Sequence, residues 1–181
     1  ITRYGPGVSL DDVANPTRFH CHTKVAARYR EGRALLAGDA AHVVSPSQGH
    51  GMNTGIQDSF NLAWKMAMVC HGHADASLLD SYEAERRPVA QRVAASGDDF
   101  ESTQGILDEG GRGERNSAIR DAYADEDSRR QEILAETELN ISYSDSPIVI
   151  GGEAAGGPAA GDRFVDPAFR MPSGFGHTLL V

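Results

Sequence analysis

The sequence predicts an α/β fold, and three observations predict it. A short apolar run at 34–37, Ala-Leu-Leu-Ala, has the length and composition of a buried strand. It ends in Gly38 and Asp39, and a glycine-rich loop follows through Gly49, Gly51 and Gly55. Beyond the loop, Ile56, Phe60, Ala63, Ala67 and Cys70 recur at spacings of four, three, four and three, which marks one face of a helix over 55–71. Strand, carboxylate, flexible loop and helix start, in that order, set an acid beside a ring of backbone N–H groups.

The other elements are read in chain order. Residues 1–15 carry Gly5, Pro6, Gly7 and the Asp11-Asp12 pair and read as a loop. Residues 19–26 alternate weakly and predict a strand, whereas the polar stretch 28–33, with Gly32, reads as a turn. In the 55–71 helix, Leu62, Met66 and Val69 add a second apolar stripe, so burial on more than one side is expected, with Trp64 in the core. Gly72 is placed to end it. A second helix is expected from Asp75 or Ser77, either of which can cap it, with Leu78, Leu79, Tyr82 and Val89 buried. Pro88 is expected to kink or interrupt that helix, and Gly97-Asp98-Asp99 to break it before Phe100. Glu85-Arg86-Arg87 reads as a solvated charge run. Residues 110–113 read as a loop, and 116–140 as one or two surface helices carrying Ile119, Tyr123, Ile133 and Leu134. Residues 151–158 are rich in Gly and Ala and read as a linker. The last twenty, with Phe164, Val165 and Phe169, read as the start of another element.

Composition narrows the function. The 181 residues favour one domain, or one domain plus a fragment, and 40% apolar residues suffice for a core. A net charge of −9 argues against nucleic-acid and anionic-membrane partners, which select for Lys and Arg clusters; an acidic surface also simply keeps a protein soluble. Two cysteines, Cys21 and Cys70, make no disulfide framework, and a reducing, cytoplasmic setting is expected. No run approaches the ~20 apolar residues of a membrane span. Residues 1–6 carry neither a signal-peptide pattern nor an initiator Met, so the expectation is a piece of a longer protein.

The 38–58 stretch carries the chemistry. A carboxylate at Asp39, at the carboxyl end of a strand, can accept hydrogen bonds from polyol hydroxyls. Gly38, Ala40 and Ala41 are small enough to let a ligand approach the backbone. Gly49, Gly51 and Gly55 free the loop to expose its N–H groups, and the helix adds about half a positive charge at its start. The amides of Met52 and Asn53 are the natural donors to a ring edge that gathers negative charge on reduction. Other constellations are weaker. His20-Cys21-His22 and Cys70-His71-Gly72-His73 lack a workable four-ligand spacing, so no metal is expected. His42 and His50 are candidates for proton relay, with packing or loop roles as the plainer reading. No catalytic side chain is assignable.

Residues 32–42 (Gly-Arg-Ala-Leu-Leu-Ala-Gly-Asp-Ala-Ala-His) and 51–58 (Gly-Met-Asn-Thr-Gly-Ile-Gln-Asp) closely resemble the second FAD motif of the flavoprotein aromatic hydroxylases, the single-component monooxygenases related to p-hydroxybenzoate hydroxylase and phenol hydroxylase. Residues 61–67 and 78–88 extend the similarity, which is good over 19–96. Ile141-Ser142-Tyr143 and Gly161-Asp162-Arg163 look like the family's exit toward a C-terminal thioredoxin-like domain. The resemblance implies a partial FAD-binding domain of the glutathione-reductase-like Rossmann variant, incomplete in this chain, with a parallel sheet flanked by helices. It implies that 1–31 ends a substrate-binding layer, that 32–145 is the second half of the FAD domain, and that 146–181 leads into the third domain.

By the same resemblance Asp39 would hold a ribityl hydroxyl, Pro46 would lie beside the flavin ring, and Met52 and Asn53 would face its pyrimidine edge. Gly38, Ala40, Gly49 and Gly51 complete the implied cofactor-binding set. Such enzymes reduce FAD with NADPH and use O2, through a flavin C4a-hydroperoxide, to hydroxylate a small aromatic substrate. Ser47-Gln48 and His50 depart from the common pattern and touch only the loop's shape. No Gly-x-Gly-x-x-Gly follows a strand, so the pyrophosphate cradle is expected from the remainder of the polypeptide or a homodimer partner, and the chain alone is expected to bind FAD weakly. An epoxidase, a halogenase and a non-catalytic fragment are the rival readings.

Overall fold

The computed structural model describes residues 20–46, 49–104, 109–151 and 158–162. Expectations for 1–19, for Ser47-Gln48 and for 163–181 lie outside the described residues. The architecture mixes helices with small sheets. Strand β1 (Lys24–Val25) pairs antiparallel with β4 (His42–Val43), and β2 (Arg30–Glu31) pairs antiparallel with β3 (Ala34–Leu35). Both described sheets are antiparallel, and no parallel pair occurs among the described residues. Among the described residues four α-helices follow: α1 (Gly51–Cys70), α2 (Asp80–Gln104), α3 (Glu109–Ala122) and α4 (Glu126–Glu136). Among the described residues no helix is long and apolar enough to cross a membrane.

The expected turn at 28–33 is half strand. Arg30 and Glu31 pair with Leu35 and Ala34, and the chain reverses at Gly32, whose φ of 58° suits glycine. A carboxylate from α2 fixes this hairpin: Glu83 Oε2 accepts from the backbone N–H of Tyr29 at 2.7 Å and of Arg30 at 3.2 Å. The expected strand at 34–37 is only two residues long, because at Gly38 the chain tightens into a 3-10 turn, Gly38–Ala40.

Helix α1 starts at Gly51, a turn before the expected Gly55, whereas its close and the lead into α2 follow the sequence signals. Gly72, at φ 72°, closes α1, with its N–H on the Val69 carbonyl and that of His73 on Met68. Asp75 caps the 3-10 turn Ala76–Leu79, which leads into α2, by accepting from the Ser77 N–H at 2.8 Å. Two expected breaks are absent: α2 runs unbroken through Pro88 and through 97–99. Helix α2 buries Val89, Ala90, Val93 and Ala94 on one side beyond the proline, and Thr23 Oγ1 donates to Asp98 at 2.8 Å beyond the glycine. The expected loop at 110–113 is the first part of α3, tertiary context overriding a weak propensity. Helices α3 and α4 are exposed, with Ile119, Tyr123 and Ile133 facing solvent as surface helices require.

The core joins Tyr29, Ala41, Leu62, Leu79, Tyr82 and Ala90, and a second cluster joins Val89, Val93 and Ile141. Tyr82 is fully buried as expected, and its hydroxyl donates to the Leu36 carbonyl at 2.8 Å. Burial pushes its phenol, and that of Tyr29, well above the usual tyrosine range.

Helix α1 overturns the expected core. Its buried side chains are Thr54, Asp58, Asn61, Leu62 and Lys65. Its main apolar face points outward: Met52, Ile56, Phe60 and Trp64 are 74%, 61%, 81% and 44% exposed, and Met66 of the second stripe is exposed too. The two faces lie opposite each other at the helical period, and hydrophobic periodicity alone favours the wrong one. The polar face turns inward because α2 presents Glu85 and Arg86 to it, so two residues of the charge run expected in solvent are buried instead and the third, Arg87, is half-buried. Lys65 Nζ meets Glu85 Oε2 at 2.6 Å, and Asn61 Nδ2 donates to the same oxygen at 2.6 Å. Burial draws the Lys65 ammonium below the usual lysine range against the counter-pull of Glu85.

Phe60→Ser and Ile56→Ser are therefore expected to shift stability of this chain by less than about 0.5 kcal/mol, as surface changes do. Tyr82→Ala should cost roughly 3–5 kcal/mol. Urea unfolding separates the two outcomes. Emission from Trp64, the sole tryptophan, should be red-shifted and open to acrylamide quenching.

Candidate cofactor site

The site is built where the Gly38–Ala40 turn meets the first turns of α1. The Ala41 N–H returns to the Gly38 carbonyl at 2.8 Å, and Ala26 donates to the Ala41 carbonyl at 2.7 Å, which seats the turn on β1 and β4. Gly38 takes a φ of 57°, and a Cβ placed on Gly55 would lie 3.1 Å from the Gly38 Cα. The two backbones thus approach as closely as two glycines permit. A Cβ on Gly51 would similarly crowd Val44 Cγ2 at 3.1 Å. Gly49, at φ 73°, completes a turn in which its N–H donates to the Pro46 carbonyl at 3.1 Å.

One carboxylate locks this geometry. Asp58, one turn into α1 from Gly55, is wholly buried. Its Oδ2 accepts from His42 Nε2 at 2.8 Å and from the Gly38 N–H at 3.2 Å, and its Oδ1 accepts from Arg86 Nε at 2.8 Å. Arg86, also fully buried, donates further to the Tyr143 hydroxyl at 3.0 Å and to the Thr54 carbonyl at 3.2 Å. Burial works to raise the Asp58 pKa, but the bonds from His42 and Arg86 outweigh it and hold the carboxyl below the usual range. Burial works to lower the Arg86 pKa, and Tyr143 and Asp58 outweigh it in turn.

The residues singled out in the sequence fall around this lock. Asp39 and Ala40 are exposed on the turn, Gly38 is half-buried beneath them, and Pro46 is exposed across the loop. Gly49, Met52 and Asn53 are exposed and Gly51 is half-buried at the start of α1. His50, at the N-cap position, makes no side-chain cap bond among the described residues, and the first turn carries no acidic residue. The structure brings together an exposed carboxylate, a thin backbone turn and a helix start, an arrangement that can accept a hydroxyl's hydrogen bond and offer backbone N–H donors. His42 is a buried partner of Asp58, and its Nδ1 has no hydrogen-bond partner among the described residues. His50 lies beside Glu138, Nδ1 to Oε1 at 3.6 Å.

Reading the sequence missed Asp58, Arg86, Lys65, Glu85, Glu138 and Tyr143 as structural determinants. The signal was present in part: Thr54, Asp58, Asn61 and Lys65 recur at spacings of four, three and four, a polar stripe as regular as the apolar one.

Comparison with known proteins shows the family. A family model described as an FAD binding domain matches residues 4–96, just over half of the chain, and the chain belongs to that family. Pentachlorophenol 4-monooxygenase of Sphingobium chlorophenolicum is 35% identical over 167 residues, covering 92% of this chain and 30% of that protein. The crystal structure of CabE, an aromatic hydroxylase from angucycline biosynthesis, is similar at a TM-score of 0.67 and 34% identity, over 81% of this chain and 28% of that one. A Diels-Alderase in the biosynthetic pathway of pyrroindomycins is similar at a TM-score of 0.66 and 36% identity, over 75% of this chain and 29% of that one. The chain spans less than a third of the length of each.

Two outcomes test the lock. Asp58→Asn strips the counter-charge from buried Arg86 and should cost roughly 3–5 kcal/mol in urea unfolding. Because the Asp58 pKa is depressed on folding, its contribution is complete above the unfolded value of about 3.9 and is lost as pH falls through the folded value. Acid unfolding of the parent should therefore show a loss below about pH 4 that Asp58→Asn lacks. Gly55→Ala places a Cβ against backbone, and should cost about 1–3 kcal/mol, read as a lowered thermal midpoint.

Proposed function

We propose that this chain supplies the flavin-ring side of an FAD site in a cytoplasmic monooxygenase that hydroxylates a phenolic or polycyclic aromatic compound, with NAD(P)H as reductant and O2 as co-substrate. The observation that carries the reading is the Gly38–Gly55 backbone contact, which sets exposed Asp39 beside the start of α1. Asp39 would accept a hydrogen bond from a ribityl hydroxyl. Gly38 and Ala40 keep that turn thin, and Gly49 and Gly51 let the loop bend round the ring. The amides of Met52 and Asn53 would donate to the pyrimidine edge, aided by the helix dipole. Pro46 would border the ring where substrate and O2 meet. FAD held there would supply electrons to O2 and deliver one oxygen atom to the aromatic ring.

Family membership and the similarity to named aromatic hydroxylases support this reaction over epoxidation or halogenation. The similarity to a Diels-Alderase keeps a non-oxidative reaction as the second reading, since one fold hosts different chemistries. The outward stripe of Met52, Ile56, Phe60 and Trp64 supports a complete domain of the glutathione-reductase-like Rossmann variant, with more polypeptide, from the same chain or a homodimer partner, covering this face.

The test is FAD binding followed by product analysis. In the full-length protein, oxygen-18 gas should place one labelled atom as a ring hydroxyl; an unlabelled product formed without O2 favours the second reading. Asp39→Ala should weaken FAD binding about tenfold, the worth of one charge-assisted bond, with an unchanged thermal midpoint because Asp39 is exposed.

A further inference from the structure

We propose that Glu138 is a positioning residue that holds the start of α1 in its working orientation, an inference that rests on the FAD reading above. Glu138 follows α4 and has a φ of 54°, the only non-glycine with positive φ among the described residues. Side chains occupy that region at a cost, and they do so where surrounding contacts over-determine them. Here its carboxylate reaches the first turns of α1. Glu138 is 5% exposed. Its Oε1 accepts from the Thr54 hydroxyl at 3.0 Å, its Oε2 accepts from the Gln57 amide, and its Oε1 lies 3.6 Å from His50 Nδ1. Glu136 approaches the other imidazole nitrogen at 4.0 Å.

The grip is tied to the lock described above. Thr54 shares one hydroxyl proton between Glu138 and the His50 carbonyl at 3.0 Å, and its own carbonyl accepts from Arg86. His50, Thr54 and Gln57 bracket Met52 and Asn53, the two residues whose amides face the cofactor in this reading. A groove lined by Gly49, His50, Asn53, Gln57 and Glu138 opens on the same corner. Position 138 therefore exchanges backbone comfort for a carboxylate placed where it orients the donor amides without touching the cofactor.

Glycine suits the backbone at 138 and lacks the carboxylate, so Glu138→Gly separates the two roles. Hydrogen exchange of the 181-residue chain without cofactor reads the first arm. Amides at 54–57 should exchange about tenfold faster in Glu138→Gly, while those of Val89–Ala94 in α2 keep their protection. Glu138→Gln, which keeps one acceptor oxygen, should recover part of the difference. Thr54→Val should loosen the same amides by removing the partner hydroxyl, and serves if the glycine variant fails to fold. Unchanged exchange at 54–57 in both Glu138→Gly and Thr54→Val overturns the proposal. Titration with FAD reads the second arm: a loss of affinity in Glu138→Gly at unchanged thermal midpoint supports positioning. Faster exchange with an affinity equal to the parent's overturns the link to the cofactor. A parent chain that shows no FAD affinity in any form, full-length protein included, sinks the FAD reading, and the exchange arm still decides the role of Glu138 in holding α1.

Discussion

A single buried carboxylate, Asp58, ties the site to the rest of the molecule. It reaches three separate parts of the chain: the Gly38 amide on the 3-10 turn, His42 on β4, and Arg86 on α2. Remove it and the turn, the strand and the helix lose their shared anchor, and Arg86 is left as an uncompensated charge in the interior. The exposed carboxylate of Asp39 stands where it does because its neighbour Gly38 is bonded to Asp58. The turn thus has one hidden acid bonded to its Gly38 amide, Asp58 of α1, and one open acid, Asp39, on its exposed side.

The helix bearing Asp58 packs with its charges inward. Burying Lys65, Glu85 and Arg86 carries a desolvation penalty that Coulomb attraction alone does not repay. The penalty is limited because the ions are met by hydrogen bonds: Glu85 accepts from Lys65 and Asn61 and, through its second oxygen, from Ser146 at 2.7 Å. Such a network fixes register. An apolar pairing of α1 with α2 could slide by a turn, whereas the Asp58–Arg86 and Lys65–Glu85 pairs match at one alignment only.

The segment after α4 completes the arrangement from outside. Glu138 reaches Thr54 and Gln57, Tyr143 reaches Arg86, and Ser146 reaches Glu85. The chain then returns at Gly161, whose carbonyl accepts from the Tyr143 N–H at 2.8 Å. Gly161 admits no side chain, since a Cβ would lie 2.5 Å from the Ser144 nitrogen. Polar side chains spread along 138–146 thus hold α1 and α2 against each other.

The sequence by itself determined the order of strand, glycine loop and helix, the close of α1 at Gly72, the cap at Asp75, the burial of Tyr82 and Val89, and the family. These are local matters: a glycine at positive φ, an aspartate ahead of a helix and a motif of fixed spacing act within a few residues of themselves. Tertiary structure alone decided which face of α1 turns inward, that Pro88 and Gly97 leave α2 whole, and that Glu85 and Arg86 lie in the interior. The reason is that a helical period shows a polar stripe and an apolar stripe equally well, and inside and outside are set by what the opposing helix offers. Here α2 offers a carboxylate and a guanidinium, and the ions of α1 face them.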